Sequence, residues 1–557
     1  MSFNRASLLA LALLLSLTAC QKESEGPPPR YAIARFANLS GDPSLDWVGR
    51  AAPAYLTRTL LKALDGPVLT SRALNRAAGA GISDDRAQAQ LAGATHLLSG
   101  YIEKVNGKLR LYSVDEDLNT HQNARTLAVE AAQPLPALNG LAHAFSPSAA
   151  PYLTSNPEAL RLYSSALDEP LDRALADLRA AVQIDPAFGP AWASLIDYTS
   201  LRNDRSLLAS TIEEALNKPL APLDKAQIQL EKTLLDKDMD ARLAAMRDLS
   251  QQTPADLALI KSLAESGTAA GRFAQAAAEW KRLRDTDPND RDAWNQLGYA
   301  LAWSGDFPAA LNAMKQYAAR WPEDPNALDS AGDVYYMYGE FPEAAAWYLK
   351  ANDKGPQLLA GGDFYKAAWA YFRAGEKAKA NAAFEQFRAV RTKSTPAGFP
   401  LFEADWLFRT GREKQAIALL RKEDGYRAEL VLQELLAGDR AAAAKDAAAI
   451  KQPSNLSTIA RFAALPSASA AEWESRAGML HAQNNEPARR FTLGIALLLD
   501  GKKEAALPVW EKIAEESSAT DFFTQSIVEK LKGKKPKIEQ VPDSLNVNPL
   551  RVVADNL

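Results

Sequence analysis

Between Leu257 and Pro356 the small and apolar positions return at one fixed spacing. Gly271, Gly305 and Gly339 lie 34 residues apart, as do Phe273, Phe307 and Phe341, then Ala276, Ala310 and Ala344, then Pro288, Pro322 and Pro356. A period of that length, carried by small residues in mid-repeat and a proline near the end, predicts two short amphipathic helices per unit. Gly298 and Ala310 let the paired helices approach closely. Gly305 closes the first helix, because glycine enters the left-handed region without a steric penalty. Asp287-Pro288 ends the second helix. One unit cannot bury its apolar face alone, so neighbours must stack into an array.

The repeat resembles the tetratricopeptide repeat. Trp294, Leu297, Gly298, Ala310 and Pro322 carry the pattern in one unit, and Leu328, Gly332, Tyr335, Ala344 and Pro356 in the next. The resemblance implies a mostly α fold, a tetratricopeptide-like α-solenoid. Outside the strict stretch the phase drifts. Ala174, Leu178, Ala181 and Pro186 match half a unit, and Trp192 and Leu195 start another. Residues 200–255 read as helical but out of phase, broken by Pro219 and Pro222. Gly339, Gly375 and Gly411 stand 36 apart, and residues 425–450 are shortened and alanine-rich. Pro453 to Pro466 reads as a looser connection. Leu493, Gly494, Leu497, Gly501, Ala506 and Trp510 form a last unit. The expected divisions are a solenoid over 153–450, C-terminal repeat helices over 467–530, and a tail over 531–557, which contains Pro542 and Pro549.

Ahead of the array, residues 31–132 alternate in a different way. Tyr31–Phe36 reads as a strand, Leu45–Leu64 as a helix, Pro67–Ser71 as a short strand and Asp84–Leu91 as a helix. Thr95–Lys104 and Lys108–Val114 flank Asn106-Gly107 and predict a hairpin, since both turn positions need positive φ. Ala124–Val129 adds a last strand. Phe36-Ala-Asn-Leu-Ser-Gly-Asp-Pro43 with Asp46-Trp47, followed by Gly93-Ala-Thr-His-Leu-Leu-Ser-Gly100, resembles the TolB-amino-terminal-like domain, related to the FlgO and CsgG class of envelope proteins. The resemblance implies a small α/β domain of the kind that precedes tetratricopeptide repeats in bacterial regulators. Such regulators often begin with a winged-helix or cyclase domain, and here an anchor segment stands instead. Asn38, Ser40 and Asp42 are expected to bond nearby backbone and cap the next helix.

Composition narrows the function classes. The chain has 557 residues, 47% of them apolar, and a net charge of −4, which gives no general case for nucleic acid. Its one cysteine, Cys20, excludes an intrachain disulfide. His96, His121, His143 and His481 have no His or Cys at metal-ligand spacing. The segment before Cys20 reads as a secretory signal, with Arg5 in the basic region and an apolar run from Ala6 to Leu15. Leu17-Thr18-Ala19-Cys20 resembles the bacterial lipobox. That resemblance implies cleavage after residue 19 and lipid, palmitate included, on Cys20. Gln21 in place of aspartate implies the outer membrane, facing the periplasm, with the inner membrane as the lesser option. An ordinary signal peptide with an incidental cysteine is the bland alternative. Residues 20–30, with Pro27-Pro28-Pro29, read as a lipidated tether.

In such an array the first helices of successive units line a groove. The phase puts Asn295, Tyr299 and Trp303 there from one unit, Asp329, Asp333, Tyr336 and Met337 from the next, and Tyr365, Trp369 and Phe372 from a third. Aromatic rings beside amides and carboxylates suit a peptide or protein partner. The competing reading is packing between repeats, since a phase error of one residue turns a whole face inward. No Gly-x-Ser-x-Gly, Walker loop or His-Glu-x-x-His is present. The sequence therefore predicts neither an enzyme nor a catalytic residue, cofactor or metal. Asp42 with His96 is the single pairing that invites a catalytic reading. The expected function is an envelope-anchored lipoprotein scaffold that takes a periplasmic protein or peptide partner in its groove, with no nucleic acid. The alternatives are an export or assembly component that oligomerises through the α/β domain, and a periplasmic sensor. Oligomeric state stays open.

Overall fold

The computed structural model describes residues 29–61, 63–64, 66–69, 84–152, 154–254, 256–356, 359–480 and 485–557. The expected signal segment, Cys20, nearly all of the tether and His481 lie outside them. The chain forms two compact units, residues 1–263 with 286–288, and residues 264–285 with 289–557. The fold is mostly α, a tetratricopeptide-like solenoid preceded by a small four-stranded sheet.

The first unit opens with β1 (Tyr31–Asn38), α1 (Asp46–Leu60), α2 (Asp85–Leu91), β2 (His96–Val105), β3 (Lys108–Asp117) and β4 (Gln122–Ala131). The strands lie in the order β1-β2-β3-β4. β1 and β2 are parallel, and the rest are antiparallel. Asn106 and Gly107 have φ of 51° and 75°, the two positive values that the Asn-Gly hairpin turn demands. Val68 bridges Tyr31 where the second short strand was expected. A helix absent from the sequence reading, α3 (Pro134–Phe145), covers the sheet. Six helices follow in pairs, α4 (Pro157–Ala166) with α5 (Leu171–Ile184), α6 (Gly189–Ser200) with α7 (Arg205–Leu216), and α8 (Pro222–Asp236) with α9 (Met239–Gln252). One apolar cluster joins Ile33, Leu98 and Leu138 of the sheet region to Leu160, Leu178 and Trp192 of the helices. The division expected between residues 132 and 153 is therefore no break in the packing.

α10 (Leu257–Ala269) and α11 (Phe273–Thr286) lead into the second unit. Its repeat pairs are α12 (Arg291–Ser304) with α13 (Phe307–Arg320), α14 (Pro325–Tyr338) with α15 (Phe341–Lys354), α16 (Gly362–Arg373) with α17 (Lys377–Ser394), and α18 (Phe399–Arg409) with α19 (Glu413–Leu420). A shorter pair follows, α20 (Arg427–Leu436) with α21 (Arg440–Ala448), and then the short helices α22 (Asn455–Ala463) and α23 (Ala470–Gly478). Then come α24 (Glu486–Leu499), α25 (Lys503–Glu516), α26 (Phe522–Leu531) and the short α27 (Arg551–Asp555).

The local chemistry repeats with the period. Asp290, Asp306 and Asp324 each accept a hydrogen bond from a backbone N–H in the first turn of the helix they precede. Gly305 and Gly339 end α12 and α14 at φ of 89° and 85°. α11, α13 and α15 each stop two residues short of the periodic proline, because the residue before proline is pushed out of the helical region. A Cβ on Gly298 would stand 2.5 Å from the Met314 Cε, and one on Gly332 2.6 Å from the Tyr348 ring. Those two positions set how closely the helices of a pair approach. The stretch expected as a loose connection, Pro453–Pro466, instead holds α22, capped by Ser454 and buried through Ile459, Phe462 and Ala463.

Candidate functional site

The first helices of the second unit bring the expected groove residues onto one row, but at very different depths. Asn295, Tyr299, Trp303 and Phe372 are half-buried. Asp329, Asp333, Tyr336, Tyr365 and Trp369 are buried, and Trp369 is only 2% exposed. The reason is the paired helix α17 together with the next repeat. The Tyr365 ring lies 5.1 Å from those of Phe387 and Phe402, and Trp369 lies 4.8 Å from Trp406. A helix between two neighbours has few directions left for solvent, so the wide aromatic face of α16 became packing. The expectation that Tyr336, Tyr365 and Trp369 offer free ring surface is thus corrected.

Beneath this row sits a closed polar cluster. Lys366 donates to both oxygens of Asp329 at 2.7 and 2.8 Å and to Asp333 at 2.9 Å. Tyr299 and Tyr348 each donate to Asp333 at 2.8 Å. Asp363, one turn before Lys366 on α16, lies against Asp329, and its Oδ1 is buried without a partner. Three carboxylates face one ammonium, so they cannot all ionise cheaply. Desolvation, reinforced by Asp329, pushes Asp363 up to about 8. Desolvation, opposed by Lys366 and reinforced by Asp329, pushes Asp333 up to about 6. Burial works against the Lys366 ammonium, but Asp329 and Asp333 outweigh it and hold its pKa above the usual range. Sequence reasoning found Tyr299, Asp329 and Asp333. It missed Lys366, Asp363 and Tyr348, although the i, i+3 spacing of Asp363 and Lys366 marks one helical face.

A second chain of polar groups runs further along the row. Tyr365 donates to Asp405 at 3.1 Å, and Arg409 donates to Asp405 at 3.0 Å. The Arg409 guanidinium stands 3.8 Å over the Trp369 ring and pairs with Asp555 of α27 at 2.7 Å. Against desolvation, Arg409, Arg551 and Lys530 hold the Asp555 carboxyl below its usual range. Residues 531–557, expected as a tail, therefore reach the groove. Ile538, Val541 and Val547 pack on its apolar clusters, and Leu550, Val552 and Val553 enter the C-terminal core.

The first unit has a cavity of about 230 Å³ between α1, α6 and α8, lined by Arg58, Tyr152, Tyr163, Ser194 and Asp224. Arg58 donates to Asp224 at 2.6 Å. Desolvation, opposed by Arg58, pushes Asp224 up to about 6. Asp42 and His96 do not meet. Asp42 takes a hydrogen bond from Lys104 near the far end of β2 and caps Ser44, whereas His96 begins β2 and pairs with Asp115 at 2.9 Å. Among the described residues no group of three or more His, Cys, Asp or Glu is disposed to hold a metal ion.

These features define a class, an α-solenoid of tetratricopeptide-like helix pairs. Residues 364–390 match the family described as Tetratricopeptide repeat. Repeats of this kind are generally non-catalytic scaffolds for protein interaction. The chain is 24% identical over 123 residues to the general transcriptional corepressor ssn6 of Schizosaccharomyces pombe, covering 22% of this chain and 11% of that protein. It is 22% identical over 193 residues to the Superkiller complex protein 3 of Homo sapiens, covering 33% and 12%. The chain thus spans about a tenth of the length of these relatives. Among solved structures, MamA from Desulfovibrio magneticus RS-1 aligns at 14% identity and a TM-score of 0.26 over 31% of this chain and 97% of that one. The tetratricopeptide-repeat protein YrrB aligns at 16% identity and a TM-score of 0.27 over 33% and 94%.

Proposed function

We propose that this chain is an envelope-anchored scaffold whose second unit takes a protein or peptide segment along its row of first helices. The reading is carried by that row, which sets half-buried Asn295, Trp303 and Phe372 beside buried carboxylates and guanidinium groups. Half-buried rings next to fixed charges suit an extended backbone, which needs both apolar area and polar partners. The lipobox-like Leu17-Thr18-Ala19-Cys20 supports a lipid on Cys20, and hence a place on the periplasmic face of the outer membrane. The role is recognition without turnover. Neither catalytic groups nor a cofactor enter it.

The test is photo-crosslinking in intact envelopes. A photoreactive residue replaces Asn295 or Phe372 on the row, or exposed Glu343 on the second helix of a repeat. Discrete adducts are expected from the first two positions and not from the third. Adducts from Glu343 alone, or equal labelling at all three, would remove the groove reading.

A further inference from the structure

The groove of the second unit is already filled by the chain itself. After α26, residues Gly533–Lys535 are exposed, and the chain then runs without helix or strand over residues 537–548, bending at 537–538 and 544–545. Ile538 and Val541 pack on the cluster of Val334 and Met337, and Val541 and Val547 on that of Tyr336, Tyr365 and Trp369. The Glu539 backbone N–H donates to the Met337 carbonyl at 3.2 Å. Its carboxylate takes a 2.7 Å bond from Arg373. Arg391, itself 7% exposed, donates to the Leu545 carbonyl at 3.2 Å. Ser544 fills the space that Gly362 leaves, where a Cβ would stand 2.6 Å from the Ser544 Oγ. Arg551 donates back to the carbonyls of Gln540 and Val541 and holds the segment in a loop.

This is how a looped peptide ligand is held. Ile538, Val541 and Val547 occupy apolar seats, a carboxylate meets a guanidinium, and the Glu539 N–H gives one bond to the wall. Pro542 is buried where no donor is needed. Both ends of the segment are fixed in one C-terminal core, by α26 on one side and by Leu550, Val552 and Val553 on the other, and Lys530 of α26 donates to the Ala554 carbonyl at 2.7 Å. The middle can therefore lift without unfolding its ends.

We infer that residues 537–548 are an internal occupant of the partner site. The partner they give way to is a segment of the same chemistry, aliphatic–Glu–x–aliphatic–Pro as in Ile538–Pro542. This rests on the groove reading above and adds a competitor to it. Intramolecular occupancy sets a high effective concentration, so only a partner that binds more tightly, or is itself concentrated, gains entry.

The experiment uses the full chain and a labelled synthetic peptide of residues 537–548. Ile538→Asp with Val541→Asp should free the resident segment and leave α27 in its core. The variant is expected to bind the peptide at least about tenfold more tightly than the parent. Adding Arg373→Glu should weaken that binding about tenfold, and a peptide with lysine at the Glu539 position should recover it. A natively folded variant that binds no better than the parent overturns the proposal. So does binding that appears only with dimer formation, since the occupant would then come from a second copy. Should the variant unfold, hydrogen exchange on the parent decides. Excess peptide must speed exchange of residues 537–548 and spare 551–555, and unchanged exchange overturns the proposal. Peptide binding without envelope adducts at positions 295 and 372 would leave this inference and remove the scaffold reading. The reverse pair of results would do the opposite.

Discussion

At the scale of residues, the cluster around Lys366 makes the second unit sensitive to pH. Asp363 stays protonated in the folded protein up to about pH 8 and ionises near pH 4 in the unfolded chain. Between those values the folded state binds more protons. The cluster's contribution is therefore complete below about pH 4 and is lost as pH rises toward 8. Asp363→Asn keeps the shape and removes the titration. It is expected to stabilise the unit by ~1–3 kcal/mol at pH 8 and to flatten the slope of unfolding free energy between pH 5 and 8. Parallel parent and variant curves from denaturant melts across that range would discard the assignment. Lys366→Met works the other way. It strands Asp329 and Asp333 without their cation and should cost about 3–5 kcal/mol at neutral pH, measured in the same melts.

At the scale of elements, the close approach within each pair depends on positions that carry no side chain. Gly332→Ala drives a methyl into the Tyr348 ring and should cost about 1–3 kcal/mol through overpacking. Gly305→Ala meets open space and only forces alanine into the left-handed region, for about 1 kcal/mol. Equal shifts in melting midpoint for the two would contradict that split. These glycines were legible in the sequence because each recurs with the period, and so were the caps and the prolines. α22 was not, since Pro453 and Pro466 suggested a break. The Ser454 cap with Ile459, Phe462 and Ala463 at helical spacing was the signal available. The burial of Tyr365 and Trp369 was also hidden. Spacing shows that two rings share a helical face, but not that Phe387 of the paired helix and Phe402 and Trp406 of the following repeat close over it. The seating of residues 537–548 left no mark at all. Glu539 and Arg373 are 166 residues apart, and a proline-bearing segment without periodicity reads as a solvated tail.

At the scale of the whole molecule, the question is what holds the scaffold where its partner would be found. Among the described residues no helix is long and apolar enough to cross a membrane. The chain carries both signs of charge and a net of −4, which gives no net attraction to an anionic bilayer. The proposed envelope location rests on the lipobox-like Leu17-Thr18-Ala19-Cys20. Acyl chains there would contribute about 0.8 kcal/mol per buried methylene, and more than one chain is needed for durable attachment. Cys20→Ser keeps the hydroxyl-for-thiol shape and removes the lipid acceptor. The variant is expected to move from the membrane pellet to the soluble periplasmic fraction and to keep the helical signal and melting midpoint of the parent. It should also retain peptide binding once Ile538 and Val541 are replaced, since the groove lies within the second unit. A variant that stays in the pellet would transfer the anchoring to the protein surface or to a bound partner, and the lipobox reading would fall.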